Sequence, residues 1–180
     1  MTIKNTQHET LNDYFVANSN LYHTKKSTGK MVKGLLIAVP FIILAIKPEL
    51  INLTGIGFRI IFGVIGLIVL ALHLLGGVNY YNIKSGGKIK HIRLKKFQLS
   101  NDNTMDEIVE AYENDDFQAL RDAASTDNGS LHLNIWHDKT GKEVYLLLVN
   151  NYYGTVNYKS SIKIFSNTEY DTFFPILKKI

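Results

Sequence analysis

One run of this chain restricts everything around it. RIIFGVIGLIVLALHLLGGV, residues 59–78, carries no charged residue after Arg59. A bilayer's hydrocarbon core is roughly 30 Å thick and takes ~20 apolar residues of helix at about 1.5 Å each. Residues 60–78 supply 19, thirteen of them Leu, Ile, Val or Phe. At about −0.3 to −0.6 kcal/mol apiece these contribute roughly −4 to −8 kcal/mol towards insertion, an upper bound because midplane values are used throughout. His73 is one polar residue and does not reverse that sum. The apolar positions go all round the helix rather than along a stripe. A chain of 180 residues has too few layers to cover such a helix on every face. The run is therefore expected to cross a membrane.

An earlier run, GLLIAVPFIILAI at residues 34–46, is short by itself. Extended to Met31 and Leu53 it reaches a usable length, with Lys33 snorkelling to a headgroup and Lys47 and Glu49 in the interface. Pro40 is tolerated in membrane helices. The polar residues ahead of this run, and the lack of an Ala-x-Ala site after it, argue against a signal peptide. The two runs predict a transmembrane hairpin over residues 31–78, with helices at about 32–50 and 57–78. KPELINLTGIGFR is the link, broken by Pro48, Gly55 and Gly57. Gly63, Gly66, Gly76 and Gly77 are candidates for close helix packing.

Charge sets the expected orientation. Lys4, Lys25, Lys26, Lys30 and Lys33 precede the hairpin, and Lys84, Lys88, Lys90, Arg93, Lys95 and Lys96 follow it, against Lys47 and Arg59 in the link. The positive-inside rule then places both termini in the cytoplasm, in a multi-pass protein of the bacterial inner membrane. The bacterial source is a compositional reading of the Asn, Ile, Lys and Tyr content. The absence of cysteine excludes disulfides, thiolate metal sites and a Cys nucleophile. The net charge of +4 does not read as nucleic-acid binding. The basic run at 79–100 is followed at 101–128 by Asp102, Asp106, Glu107, Glu110, Glu113, Asp115, Asp116, Asp122 and Asp127 against Arg121 alone.

The remaining segments predict an α+β membrane protein: an N-terminal cytosolic arm (1–30), the hairpin (31–78), a juxtamembrane hinge (79–87, with Ser-Gly-Gly at 85–87) and a cytosolic domain (88–180). In the arm, Thr10 and Asp13 stand at capping-box spacing before an amphipathic helix of Leu11, Tyr14, Phe15, Leu21 and Tyr22. It lies either on the inner leaflet or on the domain. The domain reads β-α-α-β-β-β-α, a small antiparallel sheet with helices on one face. KIKHIRLKKFQL is a strand, with Ile92 and Leu94 alternating with His91, Arg93 and Lys95. Thr104 and Glu107 cap one helix, with Ile108, Val109 and Tyr112 inward. Asp115 or Asp116 caps the next, with Phe117, Leu120 and Ala124 inward. SLHLNIW and EVYLLLV form a hairpin turning at HDKTGK, TVNYKSSIKIF is a further strand, and a final helix starts at a Thr168/Asp171 capping pattern. Phe173, Phe174 and Leu177 are expected to cover the sheet, although Pro175 weakens that helix.

No stretch names a reaction. HExxH, GxSxG, P-loop and GxGxxG patterns do not occur. His132 and His137 are five apart, which in a strand sends them to opposite faces. Asp115 and Asp116 point apart on a helix. No catalytic residue, cofactor or metal is assigned. Lys84, Lys88, Lys90, Arg93, Lys95 and Lys96 are the expected lipid-headgroup contacts, unless they pair within the domain. Trp136, Tyr152, Tyr153 and Tyr158 are the expected partner-binding aromatics, unless they pack the sheet. The leading expectation is a membrane-anchored, non-enzymatic module whose cytosolic domain binds a protein partner or a second copy. An immunity-type or transporter-accessory role for the hairpin, or a membrane-surface enzyme using His91, His132 or His137, are the alternatives.

Overall fold

The computed structural model describes residues 10–75, 77–100, 104–152 and 155–180. It divides into two units, one of Lys25–Asn79 and the other of the chain on either side.

The first unit is a helical hairpin: α2 (Thr28–Ile46), a 3₁₀ turn (Pro48–Ile51) and α3 (Ile56–Leu75). Both helices are long and apolar enough to cross a membrane. They sit a few residues earlier than the sequence boundaries. α2 ends at Ile46, just before Pro48, because proline disfavours helical backbone in the residue preceding it. It passes through Pro40 without ending. Small residues line the seam between the helices. Ala38 is fully buried, a Cβ added at Gly66 would lie 3.1 Å from Ile42, and one added at Gly34 would collide with His73. Gly63 also faces α2, near Ala45, whereas Gly76 lies outside the described residues. The link is pinned by an exposed Arg59–Glu49 ion pair at 2.9 Å and turns through Asn52 in the left-handed region (φ 58°).

The second unit is a seven-stranded sheet with a helix layer on each face. Its strands are β1 (Tyr22–Lys26), β2 (Val78–Asn82), β3 (Lys88–Lys96), β4 (Leu131–Asp138), β5 (Glu143–Tyr152), β6 (Thr155–Lys159) and β7 (Lys163–Ser166). They lie in the order β1-β2-β3-β4-β5-β6, with β7 also on β5. Leu21 accepts from Ile83 at one end of β1/β2 and Ser27 donates to Gly77 at the other, so these two strands run antiparallel. The residues expected as a juxtamembrane hinge at 79–87 are therefore mostly β2 and the β2–β3 turn. The arm expected at 1–30 is not separate either: its described part contributes α1 (Leu11–Ala17) and β1.

α1 settles the choice left open by its amphipathic pattern. Leu11, Tyr14 and Phe15 are buried with Tyr22, Tyr80, Ile89, Tyr145, Leu147 and Val149 on one face of the sheet. Thr10 caps the helix, accepting from the Asp13 amide at 3.2 Å. The opposite face carries α4 (Met105–Glu113), α5 (Phe117–Asp122) and α6 (Thr168–Leu177) over Leu131, Leu133, Ile135, Val144, Leu146 and Leu148. Helices thus cover both faces rather than one, which explains the continuous apolar run in β5.

Several local expectations hold. The Thr104/Glu107 capping box is present, and Asp116 caps α5. Others shift. Ala124 is exposed, and Ala123 packs on the core instead. α6 starts after Asn167, at φ 54°, with Thr168 inside the helix rather than capping it. The last expected strand is two, interrupted at Ser160. There the Ser160 amide donates to Leu148 O and Ser160 Oγ accepts from Leu148 N (2.9 and 3.0 Å), bridging the break along β5. The order from β3 onward is therefore β-α-α-β-β-β-β-α.

Candidate functional site

The six bases expected at headgroups separate in the structure. A bulge at Ile92, between His91 and Arg93, reverses the alternation of β3. His91 stays on the α1 side against Trp136, while Arg93 and Lys95 turn to the side covered by α4, α5 and α6. Lys95 is buried, and its Nζ donates to the Leu120 and Arg121 carbonyls at 2.9 and 2.7 Å, capping the C-terminus of α5. Burial holds its ammonium below the ordinary lysine range. Lys95 is thus removed from any headgroup set. Arg93 donates to Ile180 O (3.4 Å) and Lys96 to Asp127 O (2.7 Å). Lys84, Lys88 and Lys90 are exposed.

The turns at one end of the sheet are tied by buried polar groups. Ser85 Oγ donates to Asp138 at 2.5 Å and accepts from Gly87 N at 2.9 Å, and Asp138 also accepts from Thr140 N. Asn82 donates to Glu143 (2.8 Å), which also accepts from the Tyr145 hydroxyl. Burial raises both the Tyr145 and Tyr22 hydroxyls far above the ordinary tyrosine range, so both are neutral donors. These groups satisfy one another and latch the β2–β3 turn to the β4–β5 turn. The Ser-Gly-Gly segment is pinned, not hinged.

The expected aromatics also part company. Trp136 is half-buried, edge-on to Phe15 and Tyr80. Tyr158 packs on the helix-covered core. The Tyr152 side chain and Tyr153 lie outside the described residues.

Beside Trp136 the structure forms a groove of about 380 Å³. Alternation sends His132, Asn134 and Trp136 of β4, and Leu147, Val149 and Asn151 of β5, to the α1 face. α1 covers part of that face and contributes Thr10, Leu11 and Asn12 to the lining, and β6 contributes Val156. Leu147 and Val149 are buried at the floor. The sequence signal for this groove was Asn134 within LHLNIW: asparagine is depleted in strands, and here it shares a face with Trp136. Asn12 and Asn151 gave no comparable signal.

The histidines do not converge. His132 Nε2 donates to Gly129 O, and register places His132 opposite Lys96 and His91 opposite Trp136. Among the described residues no three His, Asp or Glu side chains come together as a metal site. His137, on the opposite face as expected, stacks on Phe174 (centroids 5.0 Å, 9°), and its buried Nδ1 has no hydrogen-bond partner among the described residues. Burial, and then Lys90, Lys139 and Lys178, hold its pKa below the ordinary histidine value, against the opposing pull of Asp138. The unfolded chain therefore takes up this proton first, and stability is lost as pH falls from about 6.5 towards the folded-state value. The melting temperature is expected to drop between pH 7.5 and 5.5, and less so in His137→Phe, which keeps the stacked ring. Parallel pH profiles would refute this assignment.

Comparison with protein-family models, curated proteins and solved structures finds no match to this chain.

Proposed function

We propose that the α2–α3 hairpin crosses a bilayer and tethers the α+β domain at its cytosolic side, where the domain serves as a non-catalytic protein-interaction module. The observation that carries this reading is the outward-facing apolar surface of the helices. Only 11% and 6% of the apolar stretches of α2 and α3 are buried, and Leu36, Leu67 and Leu72 are 64–70% exposed. A core helix of a water-soluble fold buries most of that surface. A continuous exposed apolar band of this size is stable only against lipid or another apolar partner. The charge asymmetry of the flanks supports cytosolic termini.

Alkaline carbonate washing of membranes is expected to leave the protein in the pellet, and detergent to release it. Recovery as a dispersed monomer in plain buffer would overturn the reading. Because the chain contains no cysteine, sidedness can be read with single introduced thiols. Asn52→Cys is expected to react with an impermeant maleimide on intact cells, and Lys179→Cys only after permeabilisation. Partner capture is tested by cross-linking in native membranes. Recovery of the bare protomer alone, at every expression level, would remove the interaction role.

A further inference from the structure

We infer that the groove beside Trp136 is the docking site of the domain, and that it takes an uncharged, extended peptide segment bearing an apolar side chain. This rests on the interaction-module reading and names where the partner sits. The groove's volume, about 380 Å³, falls within the range of small-ligand sites. Among the described residues no Lys, Arg, Asp or Glu lines it, so a charged ligand would be desolvated there without a counter-charge. Its floor, Leu147 and Val149, matches an apolar side chain. Its lining also includes Asn12, Asn134 and Asn151, whose side-chain carboxamides make no hydrogen bond to any described residue. Each offers one acceptor and two donors. A peptide backbone answers a carboxamide with both a donor and an acceptor at regular intervals, and unlike a sugar, whose hydroxyls do the same, it also carries an apolar side chain for the floor. The fold does not require this arrangement. Asn134 sits on a central strand, directly opposite Leu147 in register, where an aliphatic residue would pack as well or better.

The site has its own reporter, because Trp136 is the single tryptophan of the chain. The full-length protein in lipid nanodiscs is titrated with N-acetyl-Ala-Leu-Asn-Ala-amide while Trp136 emission is followed. Parallel titrations use N-acetyl-Asp-Leu-Asp-Ala-amide, N-acetyl-Lys-Leu-Lys-Ala-amide and maltose. A saturable change with the neutral peptide is expected, with at least tenfold weaker response to the other three. Asn134→Leu and Asn151→Leu keep the tryptophan and are each expected to weaken neutral-peptide binding about tenfold, the equivalent of about 1.4 kcal/mol. Circular dichroism and thermal unfolding confirm that the variants fold. A flat titration, a preference for either charged peptide or for maltose, or undiminished binding in both variants would overturn the proposal. Partner capture that persists in the folded Asn134→Leu/Asn151→Leu chain would refute the groove while leaving the interaction role standing. Loss of capture from the unaltered chain would refute that role itself.

Discussion

Replacing residues 28–76 with a two-residue Asn-Gly turn is expected to convert the protein into a water-soluble, folded domain. The topology explains why so large an excision is tolerated. β1 and β2 are neighbours in the sheet and run antiparallel, and the Ser27 amide already donates to Gly77 O at 3.1 Å. The helical hairpin is therefore inserted in the chain where an ordinary β-turn would join the two strands, for which Asn-Gly is the favoured two-residue solution. Both hydrophobic cores are assembled, among the described residues, from side chains outside 28–76. The excision also removes most of the strongly exposed aliphatic side chains, among them Leu36, Ile46, Ile60, Leu67 and Leu72. The shortened chain is expected in the supernatant without detergent, monomeric, with a single cooperative unfolding transition. Inclusion bodies, or a soluble chain without a transition, would show that the domain depends on the hairpin for folding.

How much of this was legible beforehand follows from the range of each interaction. The two long apolar helices were readable within a few residues, because hydropathy is a local sum. So were the Thr104/Glu107 box and the Asp116 cap, which lie within one helical turn. The partnership of β1 and β2 was not. Neither YHTKK nor VNYYN alternates clearly, and their pairing joins residues separated by the whole hairpin. The destination of the bases was missed for a related reason. Strict alternation put His91, Arg93 and Lys95 on one face, and the extra residue at Ile92 separates them. Acidic residues downstream suggested ion pairing, yet the buried Lys95 caps backbone carbonyls of α5 instead. The groove was half visible. Trp136 stands out in the sequence as an aromatic, but the asparagines that give the groove its hydrogen-bonding character come from three different elements and meet only in the folded sheet.

Tyr112 is the side chain whose loss is expected to damage the domain most. It is fully buried on α4, and its hydroxyl lies 3.1 Å from Leu146 O and 2.9 Å from Ser161 O, a donor to the edge where β5 meets the β6–β7 break. Burial raises its pKa far above the ordinary tyrosine value, so the proton stays in place throughout the working pH range. Above the ring sits Lys163 Nζ, 5.1 Å from the centroid, which also donates to the Tyr112 and Glu113 carbonyls at 2.8 Å each and closes the C-terminus of α4. Removing the ring therefore opens a cavity, strips a cation of its aromatic face and unfastens a helix from the sheet. Tyr112→Ala is expected to cost about 3–5 kcal/mol, by analogy with other buried aromatics. That is a large share of the ~5–15 kcal/mol typical of a domain. Tyr112→Phe removes only the hydroxyl and is expected to cost about 0.5–1.5 kcal/mol. The comparison is made by urea unfolding of the turn-joined domain, reading the shift in midpoint at unchanged slope. Equal losses in the two variants would place the energy in the hydroxyl alone. A loss below about 1 kcal/mol for Tyr112→Ala would mean that α4 is not fastened to the sheet through this residue.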